Sequence, residues 1–89
     1  MNTNENPYFL AQTAIAHLKA AIHILLSRKQ DGLRNSEIGR ELGIYMGHVE
    51  HVGHIPRTLL AIMEAEGVVA QNKKTKIWKV AAADSPGFK

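Results

Sequence analysis

Between Asn35 and Val80 the chain carries its tightest punctuation. Asn35-Ser-Glu-Ile-Gly-Arg-Glu-Leu-Gly43, a histidine-studded stretch, Pro56 to Glu66, and Gly67-Val-Val-Ala-Gln-Asn-Lys-Lys-Thr-Lys-Ile-Trp-Lys-Val80 follow one another in that order. Caps, prolines and glycines at these places predict a short helix, a turn, a second helix and a β-hairpin with a lysine-loaded tip.

The short helix begins at Asn35 or Ser36, both capping residues, with Glu37 in its first turn facing the helix dipole. Ile38 and Leu42 lie one turn apart on its buried side, and Gly43 suits the left-handed residue that ends a helix. Gly39 inside it costs about 1 kcal/mol relative to alanine, so another part of the backbone is expected to pack closely there. The second helix is expected from Pro56 to Glu66, with Leu59, Leu60 and Met63 inward and Arg57, Thr58, Ala61 and Glu64 outward. Val69, Trp78 and Val80 then form the inward side of a two-stranded ribbon, turned by Asn72-Lys-Lys-Thr75.

Ahead of this lies a longer helix, starting at Pro7 behind the cap Asn6 and running to Arg28 or Lys29. Ala11, Ile15, Leu18, Ile22, Leu25 and Leu26 recur at helical spacing, opposite Gln12, Lys19, His23 and Ser27. Ala14, His17, Ala21, Ile24 and Arg28 broaden the apolar side, which makes Ile24 a candidate contact in a homodimer formed through this helix. Asp31-Gly32 breaks the helix, and Leu33-Arg34 leaves room for a strand stub. The domain therefore spans residues 7–81 of an α+β chain, between a flexible amino terminus, 1–6, and a flexible tail, 82–89.

Size and charge narrow the function. A chain of 89 residues makes one domain that buries only about 60–65% of its unfolded surface, too little for a deep catalytic cleft. It has no cysteine, hence no disulfide, thiolate nucleophile or Cys-ligated zinc. The aspartates are Asp31 and Asp84, one in a turn and one in the tail, and no phosphate-cradling glycine loop or nucleophile motif is present. An enzyme is disfavoured, and no cofactor is expected. No secretory leader is evident and no run is read as approaching the roughly 20 apolar residues of a membrane span, so a cytoplasmic protein without membrane contact is expected. The net charge of +3 is mild, but the stretch Gln71 to Lys79 holds four lysines and no acid. Such a concentrated basic patch suits a nucleic acid better than a protein partner.

At this point the chain resembles the winged helix-turn-helix superfamily of DNA-binding domains. The resemblance rests on Ser36-Glu-Ile-Gly-Arg-Glu-Leu-Gly43, on Leu59-Leu-Ala-Ile-Met-Glu-Ala-Glu-Gly-Val-Val69 and on Lys76-Ile-Trp-Lys-Val80, and it covers residues 10 to 81. It implies three helices and a carboxy-terminal hairpin wing, with the third helix in the major groove and the hairpin tip on the backbone or in the minor groove. Such domains join their two central helices by a few residues, whereas here Ile44 to Ile55 intervene.

The residue chemistry agrees. Arg57 in the first turns of a groove-lying helix can bond guanine O6 and N7 bidentately, and Thr58 can touch a phosphate or a thymine methyl, with Ala61 on the same outward face. Lys73, Lys74 and Lys76 suit phosphate contact, against the plainer reading of a solvated turn that blocks edge pairing. For Arg57 the plainer reading is an ion pair with Glu64 or Glu50. His54, just before Pro56, can cap the helix or meet a phosphate, and Tyr45, His48 and His51 are possible loop contacts. His48, His51 and His54 fall three apart around Glu50 and could hold zinc or nickel on a helical turn, but Gly47 and Gly53 undermine such a turn, and no metal is expected. His17 and His23 carry no assigned role. Tyr45, Met46 and Val52 could line an apolar pocket beside the second helix that senses a base methyl group, and Gly53-His-Ile-Pro-Arg-Thr-Leu-Leu60 looks like winged-helix modules appended to restriction endonucleases, some of which read modified bases. Double-stranded DNA is thus the expected partner, for a transcription regulator or DNA-reading module. The alternatives are a modified-base reader of a restriction system, a winged helix for protein contacts, and a metal-responsive regulator.

Overall fold

The computed structural model describes residues 6–45 and 53–81. In chain order these form α1 (Pro7–Ser27), β1 (Leu33–Arg34), α2 (Asn35–Leu42), α3 (His54–Ala65), β2 (Val69–Gln71) and β3 (Ile77–Val80). The result is an α+β domain in which three helices pack against a three-stranded antiparallel sheet of order β1-β3-β2. Leu33 pairs with Trp78 and Arg34 with Ile77, while Val69 pairs with Val80 and Gln71 with Trp78. The strand stub is therefore a third strand, and β3 is central.

The core is Ile22 and Leu26 from α1, Ile38 from α2, Leu59, Leu60 and Met63 from α3, Val69 and Trp78. Every inward residue expected on the third helix is buried, and Val69 and Trp78 turn their side chains to that core as period-two alternation requires. Ile15, Leu18, Leu25 and Val80 pack at its margin. Ala11 is exposed, because the first turns of α1 project past the elements that cover its second half.

The element ends differ from expectation where tertiary partners decide them. The first helix stops at Ser27, short of Arg28, whose N–H donates to the Leu25 carbonyl at 3.1 Å while the Lys29 N–H donates to the Leu26 carbonyl at 3.1 Å. In α2 the cap is Arg34 and not Asn35 or Ser36: its backbone N–H donates to the Glu37 carboxylate at 2.7 Å. Asn35 is drawn away, its Nδ2 donating to the Gly53 carbonyl at 3.2 Å. α3 begins at His54, two residues before Pro56, behind a left-handed Gly53, and ends at Ala65 rather than Glu66.

Gly39 is tightly approached, but by side chains. A Cβ there would lie 2.8 Å from Tyr45 Cβ and 3.1 Å from Pro56 Cγ. The Tyr45 ring also crowds Gly53, where a Cβ would meet Cε1 at 2.5 Å. Two glycines thus make room for one tyrosine that pins α2 to the start of α3. Lys19, expected on the water side of α1, instead reaches Glu66 at 2.9 Å. By length and composition alone α1 is apolar enough to cross a membrane, contrary to the sequence expectation. Its Ile22 and Leu26, however, are 0% and 2% exposed within the domain core.

Candidate nucleic-acid interface

α3 turns Leu59, Leu60 and Met63 into the core, which leaves His54, Arg57, Thr58 and Ala61 exposed on the opposite side. Those four outward residues form one row at helical spacing. The Thr58 hydroxyl donates to the His54 carbonyl at 2.9 Å, so its proton is committed while the oxygen can still accept. His54 is the first residue of α3, one past the cap position, which Gly53 holds. Arg57 forms no ion pair among the described residues; Glu64 is taken by Lys73 at 3.3 Å, and Glu50 lies outside those residues.

The hairpin tip is held by short-range hydrogen bonds. Asn72 Oδ1 accepts the N–H groups of Lys74 and Thr75 at 2.9 and 3.0 Å, an Asx turn. Lys76 N–H donates to the Asn72 carbonyl at 2.7 Å, and the Asn72 N–H to the Ile77 carbonyl at 2.9 Å. Lys76 closes the turn at φ 66, a left-handed conformation adopted here without glycine. Lys74 and Lys76 are thereby presented to solvent on a defined backbone.

Lys73 departs from the expected row. Its Nζ bonds Glu64 Oε2 at 3.3 Å and Gln71 Oε1 at 3.2 Å and lies 5.9 Å from the Trp78 ring centroid. It therefore ties the ribbon to α3 and neutralises the acid nearest the outward row. Arg34, which sequence reasoning passed over, takes a place at the tip: its Nε donates to the Thr75 carbonyl at 3.3 Å. The signal was available in the strand stub, since a strand before α2 must find an edge, and pairing with β3 carries Arg34 towards the turn.

Tyr45 is half-buried, with the Arg40 guanidinium 4.7 Å from its ring centroid, so it packs between helices. His48 and His51, and with them Met46, Glu50 and Val52 of the suggested methyl pocket and metal site, lie outside the described residues. Within those residues no group of His, Asp and Glu is placed to hold a metal ion. The structure thus links α3 to the turn that carries Lys74 and Lys76 through Lys73 and Glu64, and fastens Arg34 of β1 to the same turn at Thr75. No family model, curated protein or solved structure matches the chain.

Proposed function

We propose that the chain is a winged helix-turn-helix domain that binds double-stranded DNA as a regulator or reading module, without catalysing a reaction. The supporting observation is the pairing of an exposed helical row, His54, Arg57, Thr58 and Ala61, with a basic turn braced beside it by Lys73 and Glu64. A helix about 10–12 Å across fits a major groove about 12 Å wide, which lets the first turns of α3 reach base edges. Arg57 is the base reader in this arrangement, and Ala61 adds contact without bulk. Lys74 and Lys76 on the turn, with Arg34 of β1 fastened to it, neutralise backbone phosphates, a contact that holds the duplex without reading it.

Titration of random and cytosine- or adenine-methylated duplexes at two salt concentrations tests the proposal. Binding that weakens with salt and is tighter on a subset of sequences supports it. Absence of binding to every duplex at low salt ends it, and preference for methylated over plain duplex assigns the domain to modified-base reading.

A further inference from the structure

The outward side of α1 lacks what a solvent-facing helix carries. Across Pro7–Ser27 the one residue among Asp, Glu, Lys and Arg is Lys19, and it is turned towards α3 in its bond to Glu66. Opposite the core residues Ile22 and Leu26 runs the stripe Leu10, Thr13, His17, Ala20, Ile24 and Ser27, alternating steps of three and four. Leu10 and Ile24 are 47% and 49% exposed, and Phe9 on the stripe's flank is 46% exposed. Half-exposed Leu10, Ile24 and Phe9 on a side without charge make an apolar face, interrupted by Thr13, His17 and Ser27, of the kind that marks a contact surface.

We infer that this stripe pairs with the same stripe of a second copy, the two α1 helices antiparallel about a two-fold axis between His17 and Ala20. A bilayer is the poorer occupant. Taking α1 into lipid would pull Ile22 and Leu26, two of the eight core residues among those described, out of the core. The second copy is favoured by self-complementarity. In the antiparallel register each layer sets a larger side chain against a smaller one: Leu10 against Ser27, Thr13 against Ile24, and His17 against Ala20. A parallel pair would stack imidazole on imidazole and leave alanine facing alanine. The area is also sufficient. The stripe and Phe9 offer roughly 400–500 Å² of apolar surface per copy, and with an interface about 60% apolar this corresponds to roughly 700–800 Å² per partner, a standard interface. The stripe shares no residue with the outward row of α3 or with the basic turn, so the inference does not rest on DNA binding.

The test is the mass of the full chain by sedimentation equilibrium from micromolar to millimolar concentration, without DNA, alongside flotation with anionic vesicles. The expected result is a monomer–dimer equilibrium weakened at least about 100-fold by Ile24→Glu or Leu10→Glu, because each buries a carboxylate in a seam that holds no lysine or arginine to pair it. Both variants keep their helix content in circular dichroism, as the replaced side chains are half-exposed in the single copy. Tyr8→Glu, on the other side of the helix and 74% exposed, leaves the mass unchanged. A mixture of His17→Cys and Ala20→Cys chains oxidises to the mixed dimer in preference to either homodimer. A monomer at every concentration, dissociation by Tyr8→Glu as well, self-linking of Leu10→Cys as in a parallel pair, or flotation with vesicles each overturns the inference.

Discussion

Arg57 and Gly39 show how differently two residues on neighbouring helices are constrained. Arg57 has solvent around it and no ion pair among the described residues, so its truncation leaves the fold alone. If it reads bases, Arg57→Ala costs about 1–3 kcal/mol on the preferred duplex and little on random sequence. Equal losses on both duplexes, measured by fluorescence anisotropy, would reassign it to the backbone. Gly39 has the opposite character. A methyl group there meets Tyr45 Cβ at 2.8 Å and Pro56 Cγ at 3.1 Å, and neither can give easily, since one atom is fixed to the backbone and the other sits in a ring. Gly39→Ala should destabilise the domain by about 1–3 kcal/mol in urea melts, although alanine favours helix by about 1 kcal/mol. In the Tyr45→Gly background, which removes both Tyr45 atoms that lie within 3 Å of the added methyl group, the same change should cost less; an undiminished cost there would put the crowding elsewhere.

At the scale of elements, the hairpin separates charge that binds from charge that braces. Lys74 and Lys76 point to solvent from a turn fixed by Asn72, whereas Lys73 is engaged by Glu64 and Gln71. Replacing Lys74 and Lys76 together by alanine is expected to weaken binding alike on every duplex and to flatten the salt dependence by up to about 2 units of slope. Lys73→Ala should change the slope less and lower the melting temperature slightly, in keeping with the small worth of an exposed pair. A slope unmoved by the double change would remove the turn from the binding surface. The division of labour was only partly readable beforehand. The helices and the ribbon follow from apolar spacing and from glycine and proline, which are local signals. Lys73 to Glu64 and Arg34 to Thr75 join residues 9 and 41 positions apart, and no periodicity encodes such meetings. The same reason moves the helix starts: Asn35 looked like a cap, but Gly53 claims its amide, and the Glu37 carboxylate takes over at Arg34.

Among the described residues the core is made of eight apolar side chains, and α1 contributes two of them. That small core makes the helix that most resembles a membrane span also one the domain cannot spare. Leu26→Ala should cost about 2–5 kcal/mol, a large share of the roughly 5–15 kcal/mol that stabilises a typical domain. The single tryptophan, Trp78, is 6% exposed and sits on β3 between both other strands. Its fluorescence reports the sheet, while far-UV circular dichroism is dominated by α1, the longest helix. One domain with one core requires both signals to change together, so their urea transitions should coincide in the wild type and in Leu26→Ala, with the midpoint lower in the variant. If ellipticity persisted after the tryptophan signal had collapsed, α1 would be an independently stable helix, and its place in the core would be incidental to the fold.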